Sequence, residues 1–227
     1  MMDLAFLSDR LAALIDLGGP VIAILLVLSM LVVAVVLWKL WQFWALGVGR
    51  HKAIDRAMSA LDAGNRMGAE DALAASRNHL APIVGAALAE GIEAKPRLTA
   101  MAEARLAEVA RGFRLLDSIA QVAPLLGLFG TVLGMIDAFR ALQAAGDAVD
   151  PSVLAGGIWV ALLTTAAGLG VAMPTSLALT FFESRAARER ARIDLALESL
   201  FHPMRAVPIS MQHAHAPARG SAYAHGA

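Results

Sequence analysis

The 227 residues are 58% hydrophobic with a mean hydropathy of +0.63, above the roughly 45 to 50% apolar usage of a soluble domain. The 19 Lys and Arg balance 19 Asp and Glu, and they are spread so unevenly that whole stretches carry no charge. Cysteine is absent, which excludes a disulfide framework, a thiolate nucleophile and a Cys-based metal site.

The expected fold is all-α, a polytopic membrane protein with three transmembrane helices, two of them extended into the cytoplasm. Residues 1–16 are acidic rather than basic, and the apolar run that follows is too long for the core of a cleavable signal, so the first helix is expected to stay attached. The first span is assigned to residues 17–41. Leu17 to Trp38 carries no charge over 22 residues, about 33 Å of helix against a hydrocarbon core of about 30 Å. Trp38, Trp41 and Trp44 then follow as an interfacial aromatic belt.

Residues 42–114 are mixed and charged and read as short cytoplasmic helices, with Ile54, Met58 and Leu61 at helical spacing and Gly64-Asn65 as a stop. After Lys95-Pro96 the apolar positions Leu98, Met101, Ala102, Leu106, Val109, Phe113, Leu116 and Ala120 keep a 3.6-residue rhythm. The rhythm predicts one helix from about Arg97 to Arg140, rising about 66 Å. Its membrane part is assigned to residues 115–140, around the charge-free Ser118 to Ile136, and a periplasmic turn to 141–151.

The third span is assigned to 152–182. Pro151 to Phe182 is charge-free over 32 residues, about 48 Å as a helix, so one end must project beyond the bilayer. A cytoplasmic helix is expected over 183–202, with Ile193, Leu197 and Leu200 on one face. Residues 203–227, rich in Pro, Ala, Ser and His, read as a disordered tail. His213, His215 and His225 lack the scaffold of a metal site there, so no metal or other cofactor is expected.

Of the 19 Lys and Arg, only Arg10 precedes the first span and only Arg140 falls beside the turn between the second and third. The rest lie on one side, which puts the N-terminus in the periplasm and the C-terminus in the cytoplasm.

Ala123, Gly127, Gly130, Thr131 and Gly134 form one small-residue stripe of the second span. Ala161, Thr165, Gly168 and Ala172 form another in the third. Such stripes let helices approach closely in lipid. Pro124 and Pro174 each remove one helix hydrogen bond, which is tolerated where neighbours or water serve the freed carbonyl.

No Asp, Glu, His, Lys or Arg occupies the middle of a span; Asp137 and Glu183 stand nearest, at the ends. A chain that moved protons alone would need such a group. Either it moves none, or a partner supplies the group. Thr131, Thr164 and Thr165 offer hydroxyls suited to water or to a partner's carboxylate. Bonding back to their own helix is the alternative.

At these residues the sequence resembles the MotA/TolQ/ExbB proton-channel family, most closely its ExbB and TolQ branch. The motifs that carry the resemblance are APLLGLFGTVLGMIDAF, Ala123 to Phe139, and GGIWVALLTTAAGLGVAMP, Gly156 to Pro174. The layout of one helix, a long loop, two helices and a tail agrees over roughly Leu17 to Leu200. The resemblance implies a pentamer around a dimer of a single-span partner, ExbD or TolR, whose membrane helix carries an aspartate. It also implies a periplasm-spanning protein, TonB or TolA, that receives the motion. Thr131 and Thr165 match the family threonines that face the pore, and Val160 stands where many ExbB and TolQ sequences have a glutamate.

The expected function is therefore a subunit of an inner-membrane proton-driven motor, with Thr131, Thr165 and Thr164 on the proton path and Gly127, Gly130, Gly134 and Gly168 packing the helices. The expected partners are copies of itself, the single-span and periplasm-spanning proteins and the lipid bilayer, with no nucleic acid and no enzymatic activity. A passive scaffold whose stripes only assemble helices is the alternative. A substrate carrier fits poorly, because three spans show neither an inverted repeat nor a polar site at the midplane.

Overall fold

A computed structural model describes the backbone of residues 2–145 and 151–201, and side chains over 19–144 and 151–201. Among these residues it holds seven α-helices and one 3-10 turn, and no strand. They are α1 (Met2–Ala45), α2 (Lys52–Asp62), α3 (Arg66–Ala74), α4 (Ala81–Glu90), the 3-10 turn Ile92–Ala94, α5 (Lys95–Ala110), α6 (Phe113–Ala145) and α7 (Pro151–Phe201). Three stretches are long and apolar enough to cross a membrane, within Gly19–Ala45, Ile92–Ala144 and Pro151–Phe201. The expected tail 203–227, its histidines and residues 146–150 of the expected turn lie outside the described residues.

Helix α1 is kinked at Gly19, whose φ of 62° and ψ of −159° lie outside helical space, with Pro20 beside it. At 51 residues, α7 rises about 76 Å, far more than a bilayer needs. Its last third is the charged part, and it carries Ile193 and Leu197 buried, with Leu200 packed beside them.

That last third of α7 and the short helices α2 to α5 share one core, built from Ile54, Leu73, Leu80, Val84, Leu98, Leu106, Ile193, Leu197 and Phe201 among others. Gly64, at φ 74°, ends α2 in the left-handed region. The next residue starts α3, because Asn65 Oδ1 accepts the Gly68 N–H at 2.9 Å.

The single helix expected from Arg97 to Arg140 is two helices. Arg111 is extended (φ −56°, ψ 130°) and Gly112 has φ 90°, so the chain leaves helical space although the apolar rhythm continues through it. Lys39 of α1 lies against this break, completely buried. Its Nζ donates to Val109 O and to Gln42 Oε1, both at 2.7 Å, and lies 5.0 Å from the ring centres of Trp38 and Phe113. A lysine so held satisfies an end carbonyl of α5 and shares its charge with two aromatic faces.

Around the break, Val32, Phe43, Phe113, Leu116, Ile119, Leu179 and Phe182 form a second core joining α1, α6 and α7. A third, smaller one of Val21, Leu25, Ala123 and Ala172 ties the same helices further along the spans. The outward faces remain apolar: Leu125, Phe129, Trp159, Leu162, Met173 and Leu177 are exposed, as lipid or another protein surface requires.

Candidate functional site

The contact between α6 and α7 is the most extensive among the described residues, and glycine sets its closeness. A Cβ on Gly127 would meet Thr164 O at 2.9 Å, and one on Gly168 would meet Ala123 O at 2.6 Å. A Cβ on Gly134 would meet Ala161 Cβ at 3.2 Å, and one on Gly157 would meet Ala138 Cβ at 2.5 Å. The two stripes therefore touch each other within one chain, backbone nearly against backbone. Gly157 and Ala138, which the stripe reading left out, extend the contact at one end.

The three threonines have different surroundings. Thr164 is 1% exposed, and its Oγ1 lies 2.7 Å from Ala161 O and 3.2 Å from Gly127 O. Thr165 is half-buried and donates to the same Gly127 O at 3.2 Å. Thr131, one turn beyond Gly127 on α6, is half-buried and donates to Leu128 O at 2.7 Å. Thr164 is thus enclosed by its own chain, whereas Thr131 and Thr165 keep part of their surface open.

This arrangement limits the chemistry. A hydroxyl has one hydrogen and two lone pairs. With the hydrogens of Thr131 and Thr165 on backbone carbonyls, what they present outward are acceptors. Acceptors receive the O–H of a protonated carboxylic acid without rearrangement; a carboxylate would need the hydroxyls to turn off their carbonyls. Val160, one turn before Thr164, is half-buried and offers neither.

Two polar groups outside the spans were not singled out by sequence reasoning. Glu189 of α7 is completely buried. Its carboxylate accepts the Gly49 N–H and, at 3.4 Å, Asn78 Nδ2, and stands 3.6 Å from His51 Nε2. Asn78 Nδ2 also lies 3.4 Å from Gly47 O, and Asn78 Oδ1 accepts the Leu80 N–H at 2.8 Å. This cluster fastens the α1–α2 turn and the α3–α4 turn to α7. The signal was in the pattern: Glu189 falls on the stripe of Phe182, Ile193 and Leu197, where a charge on an apolar face marks a buried partner.

Beside it, both ring nitrogens of His79 are buried without a hydrogen-bond partner among the described residues. Burial pushes its pKa below the usual 6.5, against the opposing pull of Glu189. No three His, Cys, Asp or Glu side chains gather as metal ligands among the described residues.

Comparison with known proteins bears on the same elements. Residues 69–195 match the model of the MotA/TolQ/ExbB proton channel family. The chain is 43% identical over 86 residues to the biopolymer transport protein exbB1 of Vibrio cholerae, covering 38% of each chain. It is 34% identical over 134 residues to the biopolymer transport protein ExbB of Neisseria gonorrhoeae, covering 57% of each. To the Tol-Pal system protein TolQ of Haemophilus influenzae it is 46% identical over 63 residues, 28% of this chain and 27% of that one. The chain thus spans less than two thirds of the length of these curated relatives. The matched residues take in α4 to α6 and all of α7 but its last turn and a half, including the contact set by Gly127, Gly130 and Gly168. With more than half of its residues matched and three helices able to cross a bilayer, this multi-pass membrane protein belongs to the MotA/TolQ/ExbB proton channel family.

Proposed function

We propose that the chain is an ExbB/TolQ-type subunit of a proton-driven motor in the bacterial inner membrane, working with a single-span partner of the ExbD or TolR type. Copies of it, five by the family pattern, surround the partner, with the N-terminus periplasmic and the C-terminus cytoplasmic. The motion passes to a periplasm-spanning protein of the TonB or TolA type. The observation that carries the reading is the pair of half-open threonines on a span interior that has no titratable group. A proton path there needs a carboxyl from outside the chain, and these hydroxyls present acceptors to it.

In the proposed cycle the partner's carboxyl enters protonated and neutral, because a charge at the bilayer centre costs roughly 2.5 to 3.5 kcal/mol on insertion scales. Its O–H donates to Thr131 or Thr165 Oγ1. Loss of the proton toward the cytoplasm leaves a carboxylate, and the hydroxyl can serve it only by turning away from Gly127 O or Leu128 O. That exchange of donors makes the two protonation states prefer different positions of the partner. One charge crossing about 100 mV supplies about 2.3 kcal/mol for each such step.

A passive scaffold remains the second reading, favoured by the observation that all three hydroxyls already have partners in their own chain. Proton uptake by liposomes separates the two. Under the motor reading, the chain co-purified with its single-span partner conducts protons, and the same complex with the partner's membrane aspartate changed to asparagine does not. Equal, background uptake in both preparations would leave only the scaffold.

A further inference from the structure

Beyond proton movement, we propose that the chain binds the headgroup of an anionic phospholipid in a pocket between the end of α1 and the middle of α7. The pocket has a volume of about 200 Å³ and is lined by Leu40, Phe43, Trp44, Arg50, Phe181 and Arg185, with Gly47 and Val48 from the turn after α1. That is room for several waters or for a phosphate group. The proposal rests on the membrane reading of α1 and α7, not on proton conduction.

Three features point to this ligand. The first is charge. Arg50 and Arg185 are exposed and, like Arg56, Arg77, Arg111, Arg114 and Arg188, have no carboxylate in ion-pair contact among the described residues, but these two line one pocket together. Glu189, one turn beyond Arg185, is engaged by Gly49 N–H and Asn78. The second is placement of the guanidinium: that of Arg185 lies over the Phe181 ring at 5.3 Å and close against Gly49, where an added Cβ would be 3.0 Å from Nη1. The guanidinium thus lies at the pocket, and a planar guanidinium matches phosphate oxygens in pairs.

The third is position. The pocket lies where the charge-free runs of both helices end, beside the tryptophans that mark an interface. Leu37, Leu40 and Trp44 on α1 and Leu177 and Phe181 on α7 are exposed on the two helices that wall the pocket, and on each they lead back along the span. Acyl chains attached to a phosphate in the pocket would lie along such surfaces. A free phosphate would use the arginines alone. Basic pockets between membrane helices bind anionic headgroups in this way.

The test is native mass spectrometry of the purified protein in its assembled form, in detergent, offered dioleoylphosphatidylglycerol or dioleoylphosphatidylcholine. The phosphatidylglycerol should be retained in preference by on the order of thirtyfold, the scale of two surface arginines at about 1 kcal/mol each. R50Q/R185Q should bring the two lipids to parity, and R50K/R185K, which keeps the charges, should keep most of the preference. Millimolar inorganic phosphate should not displace the lipid. Equal retention of both lipids by the parent chain, preference surviving in R50Q/R185Q, or ready displacement by inorganic phosphate would each overturn the proposal. None of these readouts depends on proton movement, so failure here would leave the motor reading untouched.

Discussion

Gly130 faces Thr164 across the α6–α7 contact so closely that a Cβ on Gly130 would sit 2.6 Å from Thr164 Oγ1 and 2.7 Å from its Cβ. No such approach exists among the described residues at Gly156 or Gly170, where an added Cβ meets none of their atoms within 4 Å. Gly130→Leu should therefore separate the helices, costing at least the 1 to 3 kcal/mol typical of overpacking, and should lower both thermal stability and the assembled fraction on size exclusion. Gly156→Ala should be neutral or mildly stabilising. If Gly130→Leu assembles and melts like the parent, the contact does not hold the chain together.

Glu189 should matter for the turn after α1 rather than for the spans. Glu189→Leu removes the side-chain acceptor of the Gly49 N–H and one of the two acceptors of the buried Asn78 amide, at about 1 to 3 kcal/mol for the buried amide. Amide hydrogen exchange over residues 46–51 should then speed up, whereas Glu189→Gln, which keeps an acceptor oxygen, should retain most of the protection. Unchanged exchange in Glu189→Leu would contradict the assignment.

His79 gives the helical bundle a pH dependence of known sign. Burial lowers its folded pKa below the unfolded value of about 6.5, so the folded state favours the neutral ring. Its contribution is then fully present above that value and is lost as pH falls below it. Thermal stability at pH 5.5 should be lower than at pH 7.5, and His79→Leu should reduce that difference. An equal or larger difference in His79→Leu would assign the effect to another group.

The proposed orientation rests on charge alone. Only Arg10 and Arg140 depart from the side that holds every other Lys and Arg. Single cysteines at Ser8 and Ser76, probed in whole cells with an impermeant thiol reagent, should label at position 8 and not at 76. The reverse pattern would invert the topology.

What could be read from the sequence was whatever repeats with a helical period. The charge-free runs located three spans, and Ile193, Leu197 and Leu200 marked the face by which the end of α7 joins the core of the short helices. The break at Arg111–Gly112 was not legible, because Leu106, Val109, Phe113 and Leu116 keep their rhythm through it while the backbone turns at a residue without a Cβ. Nor did periodicity distinguish Thr164 from Thr165. Adjacent positions differ by about 100° around a helix, and only the packing of α6 decides that one is enclosed and the other half open. Nothing in the sequence pattern marks Lys39 as buried, and only the fold shows it on the Val109 carbonyl.

The most direct test of the account is proton-driven activity, measured by uptake in liposomes holding the chain and its single-span partner, for Thr131→Val, Thr165→Val, the double variant and Thr164→Val. Valine keeps the shape and removes the hydroxyl. The account predicts that Thr131→Val and Thr165→Val assemble normally and conduct more slowly, and that the double variant falls below either one. Thr164→Val, whose hydroxyl is enclosed between Ala161 O and Gly127 O, should lose about 1 kcal/mol of stability with little change in flux per assembled complex. If the double variant assembles and conducts at the parent rate, these threonines are packing residues and the proton path lies elsewhere.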